Sequence, residues 1–225
     1  MRHILLTIFF SFLSVSIGFS QGTFLKNGES GFEVGAAYAS SKVGTAIGGG
    51  IGYSIESLAD FSVSVSRAAL AQKMNGNKVL EYAISPSLEV NFKRDSATIP
   101  IFASLIFGYE KDMYRSSPLN RLNESMNGDF FSAGFLLYGN IYVSRRIYIQ
   151  PSAEIDYVIG TGDLRDKYQM YIQSSDYSTG VATVSAALVF NASSRRMFVI
   201  EPAVSRDKDY TTYSVEVDFV MATFR

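Results

Sequence analysis

The sequence contains no cysteine, and its single histidine is His3. Without cysteine the chain forms no disulfide bonds and no thiolate metal site. Serine-type hydrolases and related enzymes use histidine as an acid or base, and His3 lies in a segment that we expect to be removed. We therefore expect a protein that is not an enzyme and has no cofactor, no metal and no catalytic residues. Catalysis by carboxylates alone would leave Glu81 and Glu110 as the candidates.

Excess charge of either sign is also absent. Lys and Arg number 20, Asp and Glu number 21, and the formal net charge is −1. Nucleic-acid binding needs an excess of Lys and Arg to neutralise phosphates, and this chain has none, so we expect no nucleic-acid partner. Beyond the first twenty residues there is no apolar run of the roughly 18 residues that a membrane-spanning helix needs.

The N-terminus has the pattern of a cleavable signal peptide. Arg2 and His3 precede an apolar run that ends at Gly18-Phe19-Ser20, a small-residue exit. A transmembrane helix is the alternative, but the run is short, contains serines and has no basic stop-transfer cluster after it. We predict a signal peptide at residues 1–20, a short periplasmic segment at 21–30 and one domain at 31–225.

Apolar and polar residues alternate almost perfectly between Val79 and Phe92. A period of two places the two sets on opposite faces of one β-strand. The pattern recurs about ten times, and small polar residues share one face while apolar residues share the other. This predicts an all-β, closed antiparallel transmembrane barrel of about ten strands, with eight as the alternative. The predicted strands are 31–40, 44–57, 60–71, 79–92, 99–110, 129–142, 147–160, 179–192, 196–205 and 211–225.

Connection lengths and aromatic residues give the predicted barrel an orientation. The two longest connections, 111–128 and 161–178, lie at the end opposite the short turns, as expected for external loops. Outward aromatic residues gather near both ends, which is typical of membrane-interface belts. The predicted external belt is Tyr38, Tyr82, Tyr109, Tyr157 and Tyr213, and the periplasmic belt is Tyr53, Phe61, Phe92, Phe190 and Phe198.

Three prolines fall inside predicted strands, although proline has no N–H for the ladder. Pro86, Pro151 and Pro202 all face outward in this register and occur in similar contexts, Ile-Ser-Pro-Ser, Ile-Gln-Pro-Ser and Ile-Glu-Pro-Ala. We expect each to mark a bulge or bend that helps the barrel to curve.

The inward face is acidic. The inward acids are predicted to be Glu33, Glu56, Glu81, Glu89, Glu110, Glu154, Asp156, Glu201, Glu216 and Asp218. Within this set, Glu154, Asp156, Glu201, Glu216 and Asp218 form a candidate cluster near mid-height. Crowded carboxylates must be hydrated, protonated, bound to cations or paired with bases.

Bases for such pairing would come from outside these strands. The available ones are Lys26, Arg115, Arg121, Arg165, Lys167 and Arg225. A loop folded into the barrel would make a salt-bridge plug. The alternatives are a narrow cation path or a site for a metal or a basic ligand. Because ten strands enclose little more space than eight, we do not expect a wide porin.

Paired bases stand at or beside three short turns, at Lys93-Arg94, Arg145-Arg146 and Arg195-Arg196. Charges at this height meet phospholipid headgroups, so outer-membrane lipid is an expected partner. A docking surface for a periplasmic protein is the alternative.

The signal peptide, belts, hairpins and closing strand at residues 213–225 together resemble small outer-membrane β-barrel proteins of Gram-negative bacteria, and the Phe-Ser-Gln signal exit resembles those of Bacteroidetes. The resemblance implies an outer-membrane location and insertion by the barrel-assembly machinery. We expect a structural or interaction protein whose external loops, with Tyr114, Tyr168, Tyr171 and Tyr177, contact an extracellular or membrane protein partner. A narrow cation-preferring channel and a membrane component of a secretion or envelope assembly are the alternatives.

Overall fold

The computed structural model describes residues 24–25, 28–74, 76–92, 101–166, 168 and 170–224, with the side chains of Met74, Tyr171, Ile172 and Phe224 excepted. The predicted signal peptide lies outside the described residues. So do Lys26, Lys167, Arg225 and the Lys93-Arg94 pair.

Long β-strands make up almost the whole of this part of the chain. The strands are β1 Ser30–Ser41, β2 Gly44–Ile55, β3 Ala59–Met74, β4 Asn77–Phe92, β5 Ile101–Ser116, β6 Ser125–Gly139, β7 Ile141–Tyr142, β8 Ile147–Arg165, β9 Tyr171–Ser193, β10 Arg196–Arg206 and β11 Thr211–Phe224. The two-residue β7 continues β6 along the same neighbour, β8. The wall of the molecule is therefore built from ten long strands.

These strands close into a barrel in which each pairs antiparallel with its sequence neighbours. The first strand, β1, pairs with the last, β11, over Ser30–Ser41 and Thr212–Phe224, and β6 pairs directly with β8. An even number of strands places both ends of the barrel chain on one side, the periplasmic side in outer-membrane barrels. The prediction of a closed ten-stranded antiparallel barrel is confirmed, and the eight-stranded alternative is wrong.

Side chains alternate between the lumen and the outer surface along every strand. In β3, for example, Ser62 and Ser64 are buried inside while Phe61, Val63 and Val65 are exposed outside. Strands with apolar outward residues and small polar inward residues are stable as a closed sheet in lipid, because closure satisfies every backbone donor and acceptor.

The predicted long loops are largely strand, so their boundaries were wrong. β5 continues to Ser116, and β6 already begins at Ser125. β8 and β9 pair with each other from Ile147↔Phe190 up to Arg165↔Tyr171. A strand needs about 9–11 residues to cross the bilayer, so these four strands extend well beyond the external surface. Outside the membrane the outward face meets water, and the apolar alternation that reveals a strand is lost.

The connection between β5 and β6 contains one short helix, α1, Ser117–Leu122. The Leu119 backbone N–H donates to Ser116 Oγ at 3.4 Å, and Asn123 ends the helix with a φ of 53°. Among the described residues, no helix is long and apolar enough to cross a membrane.

The three strand prolines face outward, as predicted, but they do not form bulges. β4 and β5 pair up to Ile84↔Lys111 and resume at Ser87↔Gly108 in the same register. The β9–β10 ladder has the same kind of gap beside Pro202, and the ladder from β6 and β7 to β8 has one beside Pro151. Each proline thus interrupts one ladder without shifting it, because only its own N–H is missing.

Candidate functional site

The interior of the barrel carries most of the predicted acids. Glu33, Glu81, Glu89 and Asp218 are buried inside, and Glu110, Glu154, Asp156, Glu201 and Glu216 are inward and partly buried. The prediction for Glu56 was wrong: this residue lies in the β2–β3 turn with a φ of 51° and is exposed. β2 ends at Ile55, one residue before it.

Two further interior acids were missed. Asp60 is buried at the start of β3, and Asp112 is fully buried in the part of β5 that the sequence suggested was a loop. Both lie at the alternate positions whose side chains point into the lumen along their strands. Extending the alternation of β5 by one more inward position beyond Glu110 would have found Asp112.

A cavity of about 190 Å³ occupies the middle of the lumen. Its carboxylates come from five strands, β4, β5, β8, β10 and β11, and are Glu89, Glu110, Glu154, Asp156, Glu201 and Glu216. The rest of its polar lining is mostly serine and threonine. No lysine or arginine is part of the described lining. We call this cavity the acidic chamber.

Hydroxyl and carboxamide groups donate hydrogen bonds to several of the interior acids. Ser85 Oγ donates to Glu110 Oε2 at 2.7 Å, and Ser185 Oγ donates to Glu201. Below the chamber, Asn91 Nδ2 donates to Asp60 Oδ2 at 2.9 Å while its Oδ1 accepts from Ser104 at 2.7 Å. Neutral donors therefore supply part of the stabilisation that bases would otherwise give.

Apolar side chains close the lumen below the chamber. Phe24 and Leu25, which precede β1, turn back into the barrel and are buried there. The Tyr148 hydroxyl donates to the Phe24 carbonyl oxygen at 3.4 Å. We call this group the periplasmic cluster: Phe24, Leu25, Tyr148, Ala187, Val189, Met197, Val199, Val220 and Ala222.

A second apolar group fills the lumen above the chamber. Its centre is Phe130, which is 2% exposed and packs edge-on against Tyr177 with ring centroids 6.3 Å apart. Leu119 brings helix α1 into the same group. We call it the external cluster: Ala46, Ala68, Leu70, Val79, Tyr114, Leu119, Met126, Phe130, Val158, Leu164, Tyr177 and Val181.

Arg115, Arg121 and Arg165, the three candidate bases within the described residues, do not reach the acidic chamber. Arg115 lies outside the barrel over the Tyr82 ring, 5.6 Å from its centroid, and Arg121 is exposed on α1. Arg165 pairs with Asp163 at 3.2 Å near the external rim. These three bases therefore form no plug, and the described clusters above and below the chamber are apolar. Lys26, Lys167 and Arg225 lie outside the described residues, so for them the plug stays a prediction.

The predicted loop tyrosines divide into two groups. Tyr168 is exposed at the β8–β9 tip, whereas Tyr114 and Tyr177 are buried in the external cluster, so the prediction of an exposed role was wrong for both. Tyr114 donates from its hydroxyl to Asp112 Oδ2 at 3.1 Å. These two residues are inward because β5 and β9 continue above the membrane. The side chain of Tyr171 is outside the described set.

All ten residues of the predicted aromatic belts face outward. Tyr38, Tyr82, Tyr109, Tyr157 and Tyr213 stand toward the external end, and Tyr53, Phe61, Phe92, Phe190 and Phe198 toward the periplasmic end. Cross-strand pairs join some of them, such as Tyr53 with Phe61 and Phe190 with Phe198. Their role as interface anchors stays a prediction. Arg145, Arg146, Arg195 and Arg196 are exposed at the periplasmic turns.

The arrangement offers little for metal chemistry. Within the described ranges, no group of three or more His, Cys, Asp or Glu side chains is arranged to hold a metal ion.

Solved structures with a similar fold are outer-membrane proteins. The translocator domain of the autotransporter NalP from Neisseria meningitidis matches with a TM-score of 0.57 at 12% identity, over 88% of this chain and 90% of that one. This chain has the fold of an outer-membrane β-barrel. With its apolar outer surface, this fold belongs in the outer membrane of a Gram-negative bacterium.

Other barrels align over similar lengths. Ail, the attachment invasion locus protein of Yersinia pestis, matches at 12% identity with a TM-score of 0.35, over 88% of this chain and 100% of that one. The outer-membrane protease OmpT from Escherichia coli matches at 11% identity with a TM-score of 0.46, over 87% of this chain and 94% of that one. Neither a protein-family model nor a curated protein matches the sequence.

Proposed function

We propose that this barrel is a non-enzymatic interaction protein of the outer membrane that binds a protein partner through its external end. The observation that carries the proposal is the pair of apolar clusters, which fill the lumen above and below the acidic chamber. A barrel closed in this way presents its rims, rather than its interior, to other molecules.

The external tips have the chemistry of a contact surface. Leu122 on α1 is 63% exposed, and Tyr168 and Met170 at the β8–β9 tip are 73% and 67% exposed. Large apolar side chains at raised tips contribute contact area that is favourable to bury against a partner. The long pairs β5–β6 and β8–β9 raise both tips above the membrane, with ladders that run up to Tyr114↔Met126 and Arg165↔Tyr171.

The test replaces Leu122, Tyr168 and Met170 with serine in protein displayed on whole cells, and measures binding to an array of purified extracellular and outer-membrane proteins. We expect loss of at least one binding partner. The matched control replaces Leu58, Tyr142 and Val143, apolar residues at the periplasmic turns that are 47%, 72% and 64% exposed. Unchanged binding of the tip variant to every protein on the array, or equal loss in the control, contradicts the proposal.

A narrow cation path is the second candidate, and the acidic chamber is the observation that favours it. Carboxylate-lined pores prefer cations. Conduction requires both apolar clusters to move aside. Recording from the purified protein in planar bilayers separates the two functions: a steady cation-selective conductance supports the channel, and silence supports the closed interaction barrel.

Membership in a Bacteroidetes-type barrel family and a place in a secretion or envelope assembly are further parts of the proposal. The Phe-Ser-Gln signal exit supports the family membership. The similarity of the fold to the NalP translocator domain supports a place in a secretion or envelope assembly. Purification of the chain from its own membranes with stoichiometric partner subunits would establish an assembly role.

A further inference from the structure

The acidic chamber reaches the wall of the barrel at one place. Its lining includes Pro86, Tyr109 and Phe131, whose side chains face outward, together with the inward Glu110. This is the point where the β4–β5 ladder is interrupted: positions 85 and 86 of β4 have no ladder partners at positions 109 and 110 of β5. We call these four residues, Ser85, Pro86, Tyr109 and Glu110, the Pro86 seam.

Among the three prolines that interrupt ladders, only Pro86 itself is part of the described chamber lining, although Gln150 and Glu201, which precede the other two, also line it. Pro151 and Pro202 also interrupt ladders, but neither is part of the chamber lining. At the Pro86 seam the backbone ladder is replaced by the single bond from Ser85 to Glu110. A side-chain bond of this kind opens at a lower cost than a backbone ladder, because one rotamer change breaks it.

The outer side of the seam combines apolar side chains with the Lys111–Asp129 ion pair, whose N–O distance is 3.4 Å, at the height of the predicted external aromatic belt. The rings of Tyr109 and Phe131 are 5.1 Å apart, and Ile84, Phe107 and Phe131 are exposed around them. The Tyr109 hydroxyl is held by Asp129. The exposed rings and aliphatic side chains here would favour a molecule with an apolar portion.

The inner side of the seam is lined by carboxylates, which favour a cationic ligand. Two further interior acids lie beside the carboxylates of the lining without being part of it: Glu33 is 1% exposed and Asp218 is 3% exposed, and Glu33 Oε2 and Asp218 Oδ1 have no hydrogen-bond partner in the described part of the chain. The charged neighbours of Glu33 include Asp218 and Glu201. Buried oxygens of this kind are costly to leave unbonded.

The size of the chamber limits what it can hold. A volume of about 190 Å³ is below that of pockets for drug-sized ligands, which are roughly 300–1,000 Å³. It accommodates a headgroup and a few carbon atoms. An ammonium group fits its chemistry, since three N–H donors match carboxylate and hydroxyl acceptors. A chelated metal ion does not, because the described acids form no metal-holding group.

We propose that the acidic chamber is a binding site for the cationic headgroup of an amphiphilic amine, which enters from the membrane through the Pro86 seam and leaves its alkyl chain in the lipid. The inference is independent of the external-tip proposal, since it concerns the interior and the wall.

The test measures ligand adducts by native mass spectrometry of the barrel released from lipid nanodiscs, with dodecylamine as the probe. We expect one bound dodecylamine. Dodecanol has the same chain without the charge, and propylamine has the charge without the chain; we expect at least tenfold weaker binding of each. Equal binding of dodecanol overturns the ammonium assignment, and equal binding of propylamine overturns entrance from the membrane.

Two variants locate the site. Pro86→Val restores the N–H and allows the ladder to close, and Glu110→Gln removes the charge at the seam while keeping its shape. We expect each to weaken dodecylamine binding at least tenfold. Pro202→Val is the matched control, because Pro202, unlike Pro86, is not itself part of the chamber lining, and we expect it to bind like the parent protein. Parent-like binding by Pro86→Val and Glu110→Gln, or no adduct on the parent protein, overturns the proposal.

Discussion

Ser85 donates a hydrogen bond to Glu110 across the barrel wall at 2.7 Å, beside the point where Pro86 interrupts the β4–β5 ladder. The same relation occurs at the other two prolines. Gln150, which precedes Pro151, donates to Asn140 at 2.9 Å, and Glu201, which precedes Pro202, accepts from Ser185. The residue before each proline therefore bridges the gap from the inside with its side chain.

The first prediction concerns this bridge. Ser85→Ala removes the donor to Glu110 and should lower the free energy of unfolding by about 1.5–3 kcal/mol, the usual value of a hydrogen bond to a charged group. Urea unfolding in lipid vesicles measures it. Ser178→Ala, an outward and exposed position, is the control and should change stability by less than about 0.5 kcal/mol. Equal effects of the two substitutions would show that the bridge contributes nothing.

The second prediction concerns Pro202. Replacement by valine restores the backbone donor opposite β9, while the Glu201–Ser185 bond remains, so the free energy of unfolding should rise by about 0.5–1.5 kcal/mol. The same urea titration applies. A loss of stability would mean that the wall needs the proline for its curvature, as the sequence first suggested.

The third prediction concerns two glycines on neighbouring strands. A Cβ at Gly160 would collide with the Phe130 ring, whereas a Cβ at Gly180 would meet only the Asp156 carbonyl oxygen, at 3.9 Å. Gly160→Ala should cost about 1–3 kcal/mol because the external cluster must shift, and Gly180→Ala should be tolerated. Comparison of their urea midpoints measures the difference, and a tolerated Gly160→Ala would contradict the tight packing of Phe130.

The fourth prediction tests the membrane register. Ile51 faces outward in the middle of β2, and Leu58 is exposed in the β2–β3 turn. Arginine at the bilayer midplane costs about 2–4 kcal/mol and near the interface about 0–1 kcal/mol. Ile51→Arg should therefore destabilise the inserted barrel far more than Leu58→Arg, as measured by reversible folding into vesicles. Similar costs would move the midplane away from Ile51.

The fifth prediction concerns the two clusters, which close the lumen in series. Replacing Phe24 and Leu25 with alanine opens only the periplasmic end, and replacing Leu119 and Phe130 opens only the external end, so neither variant should conduct in planar bilayers. The combined variant should conduct, and it should prefer cations because the chamber is acidic.

Glu154→Gln with Glu216→Gln in the combined variant is the control for the fifth prediction, and it should reduce the cation preference. Conduction by either single-end variant, or anion preference of the combined one, would contradict this arrangement of clusters and chamber.

Much of the fold could be predicted from the sequence. The two-residue alternation of Val79–Phe92 and its counterparts determined the strands, their inward and outward faces and the acidity of the lumen, because side-chain direction in a strand depends only on sequence parity. The outward direction of Pro86, Pro151 and Pro202 followed from the same rule. Most of the lumen acids followed from it as well, but Glu56, Asp60 and Asp112 did not, because each lies at a strand end or in a stretch predicted as a loop.

Only the tertiary structure decided how the lumen is filled. That Phe24 and Leu25 meet Val189 and Val220, or that Phe130 meets Tyr177, depends on strands far apart in sequence being brought across a closed barrel. The extension of β5, β6, β8 and β9 was likewise hidden, since their outward faces in water carry no apolar pattern. The Pro86 seam, too, needs the register of β5 to show that Glu110 stands beside Ser85 and bridges the gap. Parity along a strand is a local property, whereas closure, register and contact across the lumen arise from all ten strands together.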